Sequence, residues 1–233
     1  MTPHWFIYKG LNSQDMGVQV VAYPPIVRPE RRLKMVTVPG RSGTLTISEG
    51  DFVYNAYTRK MTVAFRISQD PERVLEWLSG SGILVCGNEP DFGYVTTMMA
   101  PFSASRLQRD IYQGELQLYT QPFKQLYPEP TIQTQEASYT LRNGGAVPSL
   151  PWLSTSGMAD RYVALGGTII TVANDRTVII DSEAETVTYE DGTDASASVG
   201  MTNGFPIIPK GVSTLSQGSG ASTAVLMPRW RWI

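Results

Sequence analysis

Residues 36–47 read VTVPGRSGTLTI, and this stretch decides between two different structures. Glycines and a basic residue between strand-like runs can hold a phosphate on backbone N–H groups, as a P-loop does. A P-loop needs Gly-Lys-Ser/Thr and then a helix, whereas TLTI at 44–47 alternates with the period of a strand. The stretch therefore predicts two strands joined by a bend whose glycines suit a positive φ. The bend consists of Pro39, Gly40, Arg41, Ser42 and Gly43.

The composition is typical of a β protein. Of 233 residues, 42% are hydrophobic and 17% are charged, and there are 21 glycines and 16 prolines. Charged residues are below the average of roughly 25%, and the glycines and prolines predict many short strands and turns. The net charge of −2 creates no overall attraction to nucleic acid or to an anionic membrane. We expect a soluble protein made without an export signal, because no segment resembles a secretory signal or a membrane span.

The first half of the chain reads as a series of strands. Eight are predicted, at 5–9, 17–23, 33–38, 43–47, 60–67, 83–87, 94–100 and 112–120. The clearest is KMTVAFRI, in which Met61, Val63, Phe65 and Ile67 would share one face. This half predicts a mostly β unit, with a bend at residues 39–43 between two of its strands.

One short amphipathic helix interrupts these strands. Asp70 suits the N-cap position and Pro71 the first helical position. Val74, Leu75 and Leu78 are predicted to form the apolar stripe that packs on the sheet.

A proline-rich segment, QPFKQLYPEPTIQTQ at 121–135, predicts a linker between two domains, 1–125 and 126–233. The second domain has glycine, serine and threonine at frequent turns and no helical pattern. Its predicted strands are 137–141, 148–155, 161–165, 168–173, 177–181, 185–189, 211–216 and 223–233. About eight short strands at this spacing predict an antiparallel β-sandwich.

Few residues of this sequence are candidates for catalysis or for metal binding. The single histidine, His4, cannot supply a hydrolase triad or a histidine metal site, and the single cysteine, Cys86, follows apolar residues and is expected to be buried. The best acidic group is DSEAE at 181–185, which could bind calcium, act as an acid/base pair, or simply begin a turn. The turn is the favoured interpretation. We therefore expect no catalytic residue, metal site or cofactor.

Two further groups have open interpretations. Trp230 and Trp232 alternate with Arg229 and Arg231, and on one strand the two indoles would share a face. They could stack on sugar rings, or they could be core or interface anchors, which is the favoured alternative. The basic segment RPERRLK at 28–34 could bind nucleic acid or form salt bridges across a subunit boundary.

Several segments, taken in order, resemble a known family. HWFIYKGLNSQDMGVQVV, RRLKMVTVPGRSGTL and YNAYTRKMTVAFRI are similar to the opening of the distal tail proteins of bacteriophages with long, flexible, non-contractile tails. RNGGAVPSLPWL, TVIIDSEAETVTYEDG and GFPIIPKGVSTLS follow in the order usual for the C-terminal domain of that family. The resemblance spans nearly the whole chain through the order and spacing of its segments.

This resemblance implies a fold and a structural role. The N-terminal domain would be a β-sandwich with one short helix and hairpin arms, related to tail-tube subunits, and would form a homohexameric ring. The C-terminal domain would be a galectin-like antiparallel β-sandwich outside the ring. The ring would sit in the virion at the distal tail or baseplate, between the tail-tube protein and the tail-fibre or hub protein, with a lumen for DNA. Tape-measure or receptor-binding proteins are further expected partners. The bend Pro39, Gly40, Arg41, Ser42 and Gly43 becomes the end of a hairpin arm and a candidate subunit interface, with Arg41 a candidate for an ionic contact to the next subunit. A carbohydrate-binding module in host recognition is the alternative function.

Overall fold

The computed structural model describes residues 4–66, 71–98, 102–108, 110–218 and 220–233. The chain divides into two compact units, Met1–Tyr127 with Ile233, and Pro128–Trp232. Antiparallel strands dominate both units, and the described residues contain one α-helix, so the predicted mainly β class is confirmed. That helix is too short to cross a membrane. Ile67 and Asp70, which the sequence assigned to a strand and to a helix cap, lie outside the described residues.

Unit 1 is built from ten described strands and helix α1 (Pro71–Trp77). The strands are β1 Phe6–Tyr8, β2 Leu11–Asn12, β3 Val18–Ala22, β4 Leu33–Thr37, β5 Thr44–Ser48, β6 Tyr57–Arg66, β7 Ser81–Cys86, β8 Phe92–Met98, β9 Ala104–Gln108 and β10 Ile111–Leu126. The main sheet runs in the order β2-β1-β7-β8-β10-β6-β3, and β9 also pairs with β10. β2 and β9 were not predicted from the sequence.

The two ends of the main sheet meet. The backbone N–H of Val20 in β3 donates to the carbonyl of His4, just before β1, at 3.0 Å. Ser13, just after β2, accepts from Val18 and donates to Phe6, both at 2.8 Å. The sheet therefore folds over on itself and encloses one apolar core.

Strand β6 carries the alternation that the sequence predicted. Met61, Val63 and Phe65 are buried in the core, while Lys60 and Arg66 face solvent. Because successive side chains of a strand point to opposite faces, this pattern fixes which side of β6 faces inward.

Helix α1 packs on the core through a stripe that differs from the predicted one. Val74, Trp77 and Leu78 are buried, and the indole Nε1 of Trp77 donates to the carbonyl of Tyr8 at 3.0 Å. Trp77 also stacks on Phe6 with ring centroids 5.4 Å apart. Leu75 is 41% exposed, so its prediction as a core residue is wrong. The spacing i, i+3, i+4 from Val74 selects Trp77 and Leu78, and Leu75 lies about 100° away around the helix.

The predicted linker is wrong over its first residues. Strand β10 continues to Leu126, pairing with β8 through Lys124↔Tyr94 and Leu126↔Phe92. The register shifts between Thr120 and Lys124, a bulge that contains Pro122. A bulge accommodates proline, which has no N–H to donate to the ladder.

Unit 2 is a sandwich of two five-stranded antiparallel sheets, as predicted. Its strands are β11 Ile132–Thr134, β12 Ser138–Asn143, β13 Trp152–Gly157, β14 Arg161–Leu165, β15 Thr168–Val172, β16 Val178–Asp181, β17 Thr186–Tyr189, β18 Val199–Met201, β19 Gly211–Gln217, β20 Ala221–Met227 and β21 Arg231–Trp232. The sheets have the orders β11-β20-β13-β16-β17 and β12-β19-β14-β15-β18. A 3-10 turn, Ser196–Ser198, precedes β18. β11 and β18 were not predicted from the sequence.

Arg161 is a buried charge that ties several loops of unit 2 together. Its side chain is 0% exposed. Its guanidinium donates to the carbonyl oxygens of Thr155, Met158, Asn174 and Arg176 at 2.5 to 3.1 Å. Burial lowers the pKa of this guanidinium, while the charge of Asp175 raises it. Arg161 therefore joins the end of β13 to the loop between β15 and β16.

Candidate functional site

The candidate site is a hairpin, Leu33–Ser48, which we call the arm. It consists of β4 and β5 paired in register from Leu33↔Ser48 to Thr37↔Thr44. These two strands form a sheet of their own and pair with no other described strand. The arm is thus a two-stranded structure outside the main sheet of unit 1.

The bend of the arm has the geometry that its sequence predicts. The N–H of Arg41 donates to the carbonyl of Val38 at 3.2 Å, which closes a four-residue turn. Pro39 stands second in that turn and Gly40 third, with a φ of 79°, as in a type II turn. Gly43 also has a positive φ, 80°, and both glycines are exposed. The expected backbone role of these glycines is confirmed, and Arg41 and Ser42 are exposed beside them.

The arm is apolar on both of its faces. Directly opposed residues of an antiparallel pair share a face, so Val36 and Leu45 lie together, next to the pair Lys34 and Ile47. The opposite face carries Leu33 and Met35 among hydroxyl side chains, and Met35 is 68% exposed. Only Val36 is half-buried; the other strand residues of the arm are exposed.

Exposed apolar side chains concentrate in and around the arm. Nineteen large hydrophobic residues are exposed in the described part of the chain, and nine of them lie between positions 21 and 52. These are Val21, Ile26, Val27, Leu33, Met35, Val38, Leu45, Ile47 and Phe52. A concentration of this kind marks an interaction surface, since monomeric proteins rarely expose contiguous apolar patches.

The base of the arm is fixed to unit 1 by side chains of the predicted basic segment. The guanidinium of Arg31 lies 5.8 Å from the ring centroid of Tyr54, which meets Phe123 edge to face at 5.7 Å. Arg32 donates to the side chain of Asn55 at 3.2 Å and lies 3.8 Å from the carboxylate of Glu49. The basic segment therefore stabilises its own chain at these two positions.

Two cations of this region have no such intramolecular role. Within the described residues, neither Lys34 on the arm nor Arg41 at its bend forms an ion pair with a carboxylate of the chain. The sequence singled out only the bend and missed the strand residues of the arm. A signal for them is present, because LKMVTV places apolar residues on both faces of a strand.

The acidic group at 181–185 forms a turn, as the favoured interpretation expected. Asp181 accepts hydrogen bonds from the backbone N–H groups of Glu183 and Ala184 at 3.0 and 3.1 Å, and Glu185 has a φ of 53°. Arg229 holds both carboxylate oxygens of Asp181, at 2.6 and 2.9 Å. No group of three metal-ligating side chains is found among the described residues.

The two C-terminal tryptophans do not share one strand. β20 ends at Met227, and Arg229 has a φ of 50°, so the predicted strand 223–233 is interrupted after Met227. Trp230 is 9% exposed and Trp232 is half-buried. A buried indole offers no free ring face to a sugar, so this structure gives the sugar interpretation no support at Trp230.

Cys86 and His4 both lie in unit 1, in or next to strands of the main sheet. Cys86 is buried, and burial raises the pKa of its thiol to about 11. A thiol of this kind is protonated at neutral pH and is a poor nucleophile. The imidazole Nδ1 of His4 lies 3.1 Å from the carbonyl of Val20, where the sheet closes.

Comparison with known proteins gives one informative result. No protein-family model and no curated protein sequence matches this chain. Among solved structures, Dit (gp 19.1) of SPP1 matches with a TM-score of 0.68 and 16% sequence identity. The match covers 95% of this chain and 97% of that one. The two chains share a fold.

That protein is described as a paradigm of the hub adsorption apparatus in phages that infect Gram-positive bacteria. The resemblance to distal tail proteins, inferred from the order of the sequence segments, is thereby confirmed at the level of the fold.

Proposed function

We propose that this chain is a structural virion protein that forms a homohexameric ring at the distal end of a phage tail. The ring joins the tail tube to the tail-fibre, hub or host-adsorption apparatus and leaves a lumen for DNA. The fold shared with SPP1 Dit over nearly the full length of both chains supports this proposal. Its partners are the tail-tube protein and the fibre or hub protein, with tape-measure or receptor-binding proteins as further candidates.

The observation that carries the proposal is the arm. A two-stranded hairpin is marginally stable at best in water, because it cannot bury one face against a core. This arm is exposed along nearly its whole length and carries apolar side chains on both faces. Such a structure is stabilised by a second protein surface that covers it.

A ring of identical chains supplies that surface. In a rotational ring larger than a dimer, one patch of each subunit contacts a different patch of its neighbour, so every arm has an acceptor. The bend, with Arg41 exposed, would then contribute an ionic contact to the next subunit. A ring adaptor works by shape, so the proposal includes no catalytic residue, metal or cofactor.

Light scattering on the purified chain tests this proposal. The expected mass is six times the 25.7 kDa of the chain. Val36→Asp combined with Leu45→Asp places two charges on the arm and should give a folded monomer, because the arm contributes nothing to the core. Val212→Asp is a matched control, since Val212 is 64% exposed in unit 2, and it should retain the six-subunit mass.

A wild-type chain that stays monomeric at high concentration would contradict the proposal. A six-subunit mass that survives the two arm substitutions would remove the arm as its structural basis.

A further inference from the structure

A second exposed surface of unit 1 complements the arm. On helix α1, Leu75 is 41% exposed and lies about 100° around the helix from Val74 in the buried stripe. Glu72 and Glu76 are both exposed, three residues before and one residue after Leu75. Residues at i, i+3 and i+4 of a helix lie on one face, so Leu75 shares a face with both carboxylates.

The arm presents the opposite charge beside an apolar surface. Its Val36, Leu45 and Ile47 lie on one face, and Lys34, directly opposite Ile47, is the charged side chain on that face. An exposed leucine that shares a face with acidic residues and an apolar strand face beside a lysine are complementary in both polarity and charge.

Within one chain these two surfaces do not cover each other. Leu75 on the helix and Leu45 and Ile47 on the arm are all exposed. One subunit therefore exposes two different apolar surfaces, and a head-to-tail ring pairs two different surfaces of neighbouring subunits.

We propose that the arm of one subunit docks on helix α1 of the next subunit. Leu75 packs against Val36, Leu45 and Ile47 of the arriving arm, and Lys34 of that arm faces Glu76. This inference rests on the proposed ring and names the surface that accepts the arm.

A charge exchange between the two surfaces tests it. Lys34→Glu and Glu76→Lys are made singly and together in the full chain, and the concentration at which the ring half-dissociates is measured by analytical ultracentrifugation in low salt. Each single change places like charges opposite each other at every contact and should raise that concentration about tenfold or more. The double change restores opposite charges and should return it to within about threefold of the wild type.

Two further variants separate a specific contact from a general effect of charge. Lys210→Glu makes the same change at an exposed position of unit 2 and should leave dissociation unaltered. Leu75→Ala keeps the helix, since alanine is the best helix former, but removes the apolar anchor and should weaken the ring about tenfold.

The outcomes distinguish this inference from the proposed function. If the wild type forms the ring and the double change fails to restore what the single changes lose, helix α1 is not the acceptor and the ring still stands. If both single changes leave the ring intact, the docking is refuted in the same way. If the wild type forms no ring, the proposed function and the docking fail together.

Discussion

Replacing Arg161 by methionine gives a direct test of how unit 2 is held together. The buried guanidinium donates to four carbonyl oxygens from two separate parts of the chain. Methionine fills much of the same volume but donates no hydrogen bond, so the substitution leaves those carbonyls without this partner. The sequence alone did not distinguish this arginine from the others.

The expected cost follows from two opposing contributions. A hydrogen bond that involves a charged group contributes about 1.5 to 3 kcal/mol, and four such bonds are lost. Arginine loses several kcal/mol of hydration when it is buried, and the methionine variant does not. In the variant, water that enters the site donates hydrogen bonds to some of these carbonyl oxygens. We expect unit 2 of Arg161→Met to be less stable by about 3 to 5 kcal/mol.

Hydrogen exchange measured by mass spectrometry on the full chain reports this loss unit by unit. Peptides that cover β13, β15 and β16 should lose protection, whereas peptides from β6 and β7 should not change. Arg176→Met is the control, because Arg176 pairs with Asp191 at 2.7 Å with both side chains about half exposed. An exposed pair of this kind contributes about 1 kcal/mol or less. A loss below about 1 kcal/mol for Arg161→Met would refute the assigned role of the guanidinium.

Three further predictions concern the arm, an acidic turn and the single thiol. Alanine at Gly40 or Gly43 should cost the arm roughly 1 to 2 kcal/mol, because φ is near 80° at both positions; exchange of arm amides should accelerate with no change in the core. Burial raises the pKa of Asp181, but hydrogen bonds from Arg229 and from backbone N–H groups outweigh burial and leave it below its ordinary value. Its contribution to stability is therefore complete above about pH 4 and is lost as pH falls through the lowered pKa, so Asp181→Asn should flatten the acid limb of the stability curve. Cys86, whose pKa burial raises to about 11, should resist a thiol reagent at pH 8 until the chain is unfolded.

The sequence predicted elements whose local pattern agrees with their final surroundings. KMTVAFRI alternates cleanly, and its apolar face is the buried face of β6. The bend of the arm was predictable because Pro39, Gly40 and Gly43 specify a backbone conformation without help from distant residues.

Predictions failed where distant contacts decide the structure. On helix α1, the spacing i, i+3, i+4 from Val74 already favours Trp77 over Leu75, and Phe6 and Tyr8, which are distant in sequence, add a stacking partner and a carbonyl for Trp77. Strand β10 continues to Leu126 because β8 pairs with it beyond the bulge. The local sequence of β10 does not predict this pairing.

The candidate site was predictable only in part. The bend residues were identified from the sequence, but the full apolar surface of the arm depends on β4 and β5 pairing with nothing else among the described strands. Whether a strand lies inside a sheet or projects from it is decided by its neighbours, and alternation alone does not report it.

Electron microscopy of the purified chain tests the central proposal most directly. Negative-stain images should sort into classes with six-fold symmetry around a central opening. The variant with aspartate at Val36 and Leu45 should give single-chain particles under the same conditions. Wild-type particles that remain single chains, or that form rings of another symmetry, would contradict the homohexameric ring.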